Sequence, residues 1–540
     1  MASSQIPAIP SVVAIVAPAL GGVSLGASFN WPEWSLLSII GLAGMACALL
    51  ARDTSVSITG TACGMLGMYL IGLLFLYQSG HREFRYLWPG LALALSLTSS
   101  IYVFPARALH QSLGWPLPLA FGTAWSALES VRSFLTVPFL AVPFPFLCVG
   151  ATLHPLHYII QIADIGGIPL VGFLLAGFAA QIAAVVVSTA LCGFSRLNRR
   201  RTTTALLTVS LVSGYGFIRV HGLDTEQGPR AVLIAGMFPT DTSPADFRTL
   251  RLNGLPETDA RNLRATGAIW IWSEMALDEI IGCEAGTECQ MPDRVVNVNR
   301  FLKSTLVFGS ARSDSRGARY NSLFLHTHDS SGGGFYDKHY IGPGDEFQPP
   351  VARWLSMAGI TPLSPHTLGW PEISPGRDTP VFRTSALEGR SYDFAGTICF
   401  DIWHPRLFRQ FLTTNTSRPE FIVNIADEVF TGDRFFSYKV WAFVNARFRA
   451  IECRRTIVRC CGDGFSAVVA PSGQVLAVQA GASTEKPVVV SRVPIAEAGT
   501  VYVRLGDILP LIAIGICCLS ILLSHRVPLP TLPGSAPSAR

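Results

Sequence analysis

Charge is scarce in this sequence. Aspartate, glutamate, lysine and arginine make up 14% of its 540 residues, against about one quarter in a typical soluble domain. That scarcity, with 49% apolar residues and a mean hydropathy of +0.40, excludes an ordinary water-soluble chain. The net charge of +5 is small, and no run of lysine and arginine interleaves with aromatics, so nucleic acid is not an expected partner. Twelve cysteines in so long a chain are too few for a disulfide framework. Cys47, Cys63, Cys148, Cys517 and Cys518 lie in apolar runs and read as small buried hydrophobes. Cys283 and Cys289 flank the short polar loop CEAGTEC and can pair if that loop faces an oxidising compartment. The histidines are scattered and Cys460 and Cys461 are adjacent; this is no metal-ligand spacing, and neither metal nor cofactor is expected.

The shortage of charge is concentrated at the front of the chain. Residues 1–220 are mostly apolar runs, whereas 221 to 500 read as an ordinary globular sequence. A spanning helix needs about 20 apolar residues. Candidate spans lie near 11–29, 34–51, 55–78, 87–104, 115–135, 166–192 and 204–220, with one more near 507–523. The first lacks a basic start and is followed at once by further spans, so it reads as an ordinary helix, not a signal peptide. The stretch 134–151 is apolar but proline-rich and reads as a broken or interfacial piece. Arg196, Arg199, Arg200 and Arg201 form the strongest basic cluster. The positive-inside rule makes them cytoplasmic and puts the globular part on the other side. Arg52, Arg107, Arg526 and Arg540 agree with this; the loop His81-Arg82-Glu83-Arg85 falls outside, against the rule. Glu129 and Arg132 sit within the fifth apolar stretch, where charges are costly and commonly paired or functional. At i and i+3 they can pair on one helix face.

From about residue 230 short β runs alternate with helices. AVLIAGM (231–237), GAIWIWS (267–273), STLVFGS (304–310), YNSLFLH (320–326), YDFAGTI (392–398) and EFIVNIA (420–426) read as strands. RVVNVNRFLKS and YKVWAFVNARFRAIECRR read as amphipathic helices, and FSAVVAPSGQVLAVQA as a hairpin turning at Pro-Ser-Gly-Gln. Nearly continuous apolar strands between helices indicate buried sheets covered by helices, an α/β layered fold.

Three reactive residues follow such strands. Glu274 emerges from AIWIWS beside Trp272, a setting that raises a carboxyl pKa and makes a better general base; a glutamate there is equally a helix-start residue. Lys338 stands in GGGFYDKHYIGPGDEFQP, bracketed by glycines and prolines on what reads as a shaped loop. An ammonium fixed beside a nucleophile lowers its pKa and steadies an oxyanion, whereas an exposed loop lysine does neither. Glu346, eight residues on, is placed to pair with it or orient it. Cys399, in YDFAGTICFDIWHP, ends a buried strand at the turn into a helix; a nucleophile is exposed there with backbone amides beside it, although most buried cysteines are structural. His404 precedes a proline at a helix start and reads as structural.

Each signal is weak alone, but the ordered set Glu274, Lys338, Cys399, each about 60 residues after the last, resembles the nitrilase or carbon–nitrogen hydrolase superfamily. With an apolar block before it and one helix behind, the chain resembles the apolipoprotein N-acyltransferase family. WSEMA, NSLFL, YDKHYIGPGDEFQP, GTICFDIWHP, NIADEVF and ARFRAIECRRTIVRCCGDGFSAVVAPSGQV carry the resemblance, with AWSALESVRSF in the membrane block. It implies Glu274 as general base, Lys338 as the triad lysine, Cys399 as nucleophile, and Glu346 as a second essential glutamate. Asp401 stands where the family usually has a glutamate. The sequence departs from the family at Val429, where a tryptophan is usual, and at Gly236-Met237-Phe238-Pro239, where a Gln-Gly-Asn-rich loop is usual.

The fold so implied is a polytopic helical membrane domain (1–225), a nitrilase-like αββα sandwich (226–500), and a C-terminal helix and tail (501–540). The implied reaction moves a fatty acyl group from a membrane phospholipid, through a thioester on Cys399, to the terminal amine of a diacylglyceryl-cysteine lipoprotein. The setting would be a bacterial inner membrane, with the sandwich on the periplasmic side and the chain a monomer. Two alternatives stay open: a membrane-anchored amidase or nitrilase using water as acceptor, and a non-catalytic membrane protein with a degenerate sandwich. Fold alone does not decide among them.

Overall fold

The computed structural model describes residues 6–78, 82–135, 140, 142–237, 268–284, 289–328, 333–343, 346–357, 372–384, 389–429, 436–480 and 488–524. Each expected apolar span is helical: α1 (Ser11–Asn30), α2 (Leu37–Ala46), α3 (Thr54–Gly72), α4 (Arg82–Ser99), α5 (Leu117–Phe134), α6 (Ala163–Cys192), α7 (Arg196–His221) and, at the far end, Ile508–Ser524. Among the described residues, five helical stretches are long and apolar enough to cross a membrane, and the stretches Leu37–Leu50 and Ile508–Ser524 are apolar but shorter. α5 is not among the five; Glu129 and Arg132 lie within it. The helices pack through small residues, as lipid-embedded helices do. A Cβ on Gly22 of α1 would lie 1.8 Å from the Gly64 carbonyl oxygen of α3, so only glycine allows that approach. The proline-rich stretch after α5 is irregular: residues 143–148 form neither helix nor strand.

The strands make two sheets. The first runs β13–β1–β2–β4–β5–β6, with β3 beside β4; the second runs β12–β11–β10–β9–β8–β7. Here β1 is Glu226–Ile234, β2 Ala268–Trp272, β3 Ile280–Gly282, β4 Thr305–Ser313, β5 Arg319–Thr327, β6 Gly333–Asp337, β7 Val381–Arg383, β8 Asp393–Ile398, β9 Phe421–Ala426, β10 Thr456–Cys461, β11 Phe465–Val469, β12 Val475–Ala480 and β13 Val488–Ile495. β1, β2 and β4 are parallel in one sheet, and β8, β9 and β10 in the other. Their residues are buried on both faces, which is why these strands read as unbroken apolar runs. On β2, Ile269 and Ile271 join the core between the sheets with Ile422 and Val458. Ala268, Trp270 and Trp272, pointing the other way by the period of two, pack under α8 (Asp293–Leu302) through Val295, Val298 and Leu302. After α9 (Pro350–Met357) and α10 (Pro405–Thr413), α11 (Phe436–Cys453) packs on the second sheet against β10 and β11, completing helix, sheet, sheet, helix. The hairpin turns at Gly473, whose φ of +80° suits glycine.

Buried polar side chains fasten the sandwich to the helices. Asp164 of α6 accepts from Arg454 Nη2 at 2.8 Å, Arg219 Nε at 2.7 Å and the Tyr215 hydroxyl at 2.6 Å. α6 breaks its helical dihedrals at Gly166 and Gly167, and the N–H freed at Ile168 donates to Glu452 Oε1 at 3.0 Å. Gln161 Nε2 donates to the Ser472 carbonyl in the hairpin turn at 2.9 Å. Removing one partner from such a network strands a buried polar group, at about 1–3 kcal/mol.

Candidate active site

Parallel strands present their carboxyl ends together, and ligands of α/β sheets bind outside those ends. Glu274 follows β2, Cys399 follows β8 and Asp427 follows β9, so both sheets deliver reactive groups to one place. Lys338 stands on the loop directly after β6, a short strand that the sequence reading does not separate from that loop. β6 is glycine-rich and pairs antiparallel with β5, and its composition carries little strand signal.

Glu274, Lys338 and Cys399 are 6%, 3% and 8% exposed, so reaction requires substrate to come to them within a cavity. Glu274 Oε1 accepts from Lys338 Nζ at 3.2 Å and from Asn321 Nδ2 at 2.7 Å; its Oε2 accepts from the Asp427 N–H at 2.8 Å. Lys338 Nζ also pairs with Glu346 Oε2 at 2.9 Å. Glu346 is fixed in turn by Asn321 Nδ2 at 2.7 Å and the Gly342 N–H at 2.7 Å. One ammonium is therefore held between two carboxylates, and Asn321 ties the carboxylates together. Asn321 opens the NSLFL motif on β5 and has no distinguishing local signal there; only the fold shows it facing Glu274.

Two backbone distortions flank the reactive atoms. Cys399 has φ +42° and Met275, next to Glu274, has φ +50°. Non-glycine residues held in this region cost about 1–3 kcal/mol each and cluster at functional sites. The Glu274–Met275 turn presses on β4, where a Cβ on Gly309 would lie 2.6 Å from Met275 N and 2.7 Å from Glu274 Cα. After Cys399 the chain turns through Cys399–Trp403 into α10 (Pro405–Thr413). The turn is pinned by Asp401, which accepts from the Ile398 N–H at 3.0 Å, the Tyr340 N–H at 3.0 Å and the Tyr336 hydroxyl at 2.7 Å. Asp401 thus shapes the turn and the segment after Lys338. His404 sits at the start of α10, stacked on Tyr340.

Burial pushes the Cys399 thiol well above its ordinary range; Glu274 adds to this and Lys338 opposes it. The expected lowering by lysine is present but outweighed, so burial and Glu274 keep Cys399 in its thiol form. Burial alone would depress the Lys338 ammonium, but Glu274, Glu346 and Cys399 hold it well above the usual lysine range. Behind the site, burial raises Asp427 to about 6, with Glu274 adding to it. Burial likewise raises Glu428 to about 7, against the pull of its Arg459 partner at 2.5 Å.

A cavity of about 460 Å³ opens on these residues. Its walls include Glu274, Lys338, Glu346 and Cys399, but also Phe75 and Leu76, Leu87 and Leu91 of α4, and Val142, Phe144 and Phe146 of the proline-rich stretch. The chemistry and the apolar helical block therefore share one space. Val429 lines it and is 65% exposed; Phe238 and Pro239, in the other altered segment, lie outside the described residues. Cys283 and Cys289 are joined as a disulfide.

Residues 21–181 match the family model of the apolipoprotein N-acyltransferase N-terminal domain. A protein of Geobacter metallireducens named apolipoprotein N-acyltransferase is 25% identical over 91% of this chain and 91% of its own. One of that name from Rhodopseudomonas palustris is 23% identical over 96% of each. Apolipoprotein N-acyltransferase 2 of Treponema denticola is 25% identical over 76% of this chain and 77% of its own. Among solved structures, an amidase from Nesterenkonia sp. aligns with 50% of this chain and 92% of its own, at 15% identity and a TM-score of 0.31.

Proposed function

We propose that this chain, which is similar over most of its length to the apolipoprotein N-acyltransferases, is an enzyme that moves a fatty acyl group from a membrane phospholipid to the N-terminal amine of a diacylglyceryl-cysteine lipoprotein. The observation that carries this reading is the shared cavity: a Glu-Lys-Cys cluster opens into a space walled by side chains of the apolar helical block. A water-soluble acyl donor has no use for that wall. A fatty chain does, because each methylene kept from water is worth about 0.8 kcal/mol.

In this reading Glu274 takes the proton of Cys399, and the thiolate attacks the ester carbonyl of the phospholipid. The negative charge that develops on the carbonyl oxygen meets Lys338 and the N–H groups at the start of the Cys399–Trp403 turn, which lack partners within the turn. Collapse expels the lysophospholipid alkoxide, which takes the proton back from Glu274, and leaves a thioester on Cys399. The lipoprotein amine then attacks the thioester and gives a proton to Glu274. The amide forms and the Cys399 thiol is regenerated. Glu346 and Asn321 hold Lys338 and Glu274 in register, and Asp401 holds the elbow on which Cys399 stands.

The division into a membrane domain (1–225), a catalytic sandwich (226–500) and a C-terminal helix and tail (501–540) belongs to the same reading; the change from helices to strands between His221 and Glu226 supports it. So does an inner-membrane location with the sandwich on the periplasmic side. Its supports are the arginine cluster at the start of α7 and the Cys283–Cys289 disulfide, a bond that persists in oxidising compartments. Alkaline phosphatase fused after Leu505 should be active in the periplasm, and fused after Pro530 should be inactive. The opposite pattern would overturn the orientation.

The function itself is tested by supplying purified protein with phospholipid alone and searching by mass spectrometry for an acyl adduct on Cys399. A diacylglyceryl-cysteine peptide should then discharge the adduct, with the acyl group recovered as an amide on the peptide. An adduct that decays equally fast with and without peptide, giving only free fatty acid, would instead make the protein a hydrolase.

A further inference from the structure

Glu129 and Arg132 are buried charges in an apolar helix, and the chemistry at Cys399 leaves them unused. Among the described contacts they form no ion pair with each other; the expected pairing along the helix is replaced by a common grip on the chain that follows. Arg132 Nη2 donates to the Leu147 carbonyl at 3.1 Å, and Nη1 to the Tyr69 hydroxyl on α3 at 2.8 Å. The Arg132 carbonyl accepts from the Phe144 N–H at 2.9 Å. Glu129 Oε1 accepts from the Val149 N–H at 2.8 Å and from Trp125 Nε1 at 3.0 Å.

The gripped segment needs holding. It has no regular hydrogen bonding of its own, and Leu147 is kept at φ +57°, a strained value for a leucine. It also reaches the reactive centre: Val142, Phe144 and Phe146 line the cavity. Phe146 packs on Trp403 and Phe400, with ring centroids 4.7 and 5.7 Å apart, and Phe400 is the neighbour of Cys399 in sequence.

We propose that Glu129 and Arg132 are positioning residues for the acyl chain: from within α5 they clamp residues 144–149 into the wall along which a long chain runs to Cys399. The inference rests on reading the cavity as an acyl channel. It distinguishes the two charges from a bland helix-end pair, since losing the clamp should spoil long-chain access and spare the reactive centre.

The test is alkylation of Cys399 in the purified full chain, read by peptide mass spectrometry. N-ethylmaleimide is compared with a maleimide bearing an alkyl chain of palmitoyl length. In Arg132→Met the ratio of long-chain to short-chain rates should fall roughly tenfold, as expected for loss of a charged hydrogen bond. The N-ethylmaleimide rate should stay within about twofold of wild type. Glu129→Gln keeps an oxygen that can accept from Val149 and Trp125, and should hold the ratio within about threefold of wild type. If Arg132→Met does not insert, Tyr69→Phe keeps the ring but removes the hydroxyl shared by the guanidinium and Ser99 Oγ, and should lower the ratio by roughly threefold. An unchanged ratio in Arg132→Met, or in Tyr69→Phe where that stands in for it, or an equal fall in both rates, would overturn the clamp. Neither maleimide is a phospholipid, so this result stands apart from the donor assignment, which fails separately if wild type forms no acyl adduct.

Discussion

Serine in place of Cys399 should abolish acyl transfer, by roughly a thousandfold or more, while the protein inserts and melts as wild type does. The substitution exchanges one small buried atom for another, so packing changes little. The chemistry changes greatly, because a hydroxyl held in this site has neither the acidity nor the nucleophilicity of a thiol. Cys399 stands on a strained elbow between β8 and a turn pinned by Asp401, with its Sγ 3.9 Å from the Asp427 carbonyl. The serine variant should also form no ester with phospholipid on the timescale of the wild-type thioester. The check is the acyl adduct on the tryptic peptide that carries position 399, together with thermal unfolding of the same preparation. Transfer within tenfold of wild type would remove Cys399 as the nucleophile.

How legible this site is in the sequence depends on whether each residue's neighbours are local. Glu274 and Cys399 each close an apolar strand, and strand ends are visible as the point where a hydrophobic run stops. Asn321, which joins Glu274 to Glu346, lies within a strand and meets Glu274 only after β2 and β5 are set beside β4. Lys338 lies on a loop, as the glycines and prolines around it indicate, but the loop is aimed by β6, which is held by its pairing with β5 more than by its own composition. β13 escapes notice for a related reason: it pairs antiparallel with β1, more than 250 positions earlier in the chain, and such a partner leaves no local trace. Asp164 is equally silent, since the side chain of the sandwich that uses it, Arg454, is 290 residues away. Glu129 and Arg132 were conspicuous as charges in an apolar run, but their i, i+3 spacing suggested each other as partners. The actual partners are Trp125, Tyr69 and backbone groups of the stretch that follows, whose path no periodicity describes.

Glu274→Gln separates the base from the rest of the machinery. The amide is nearly isosteric and can keep one oxygen toward Lys338 and Asn321; its NH2 then faces the Asp427 N–H, so one hydrogen bond is lost. Removing a positioned general base costs about 10²–10⁴ in rate, so the acyl adduct on Cys399 should form that much more slowly. The thiol responds in the opposite sense. Burial is the main force raising it, Glu274 is the next, and Lys338 opposes both. Taking away the carboxylate's charge while Lys338 remains lowers the thiol's pKa, and the basic rise of Cys399 alkylation by iodoacetamide should move to lower pH. More thiolate at a given pH together with less acyl transfer is a combination that simple unfolding does not produce. It follows only if Glu274 both withholds ionisation at rest and takes the proton during reaction. The measurement is a pH profile of alkylation beside a pH profile of acyl-adduct formation, on wild type and variant. If the alkylation profile moves to higher pH, or acyl transfer survives at the wild-type rate, Glu274 is not the base, and the second carboxylate on Lys338, Glu346, becomes the group to replace.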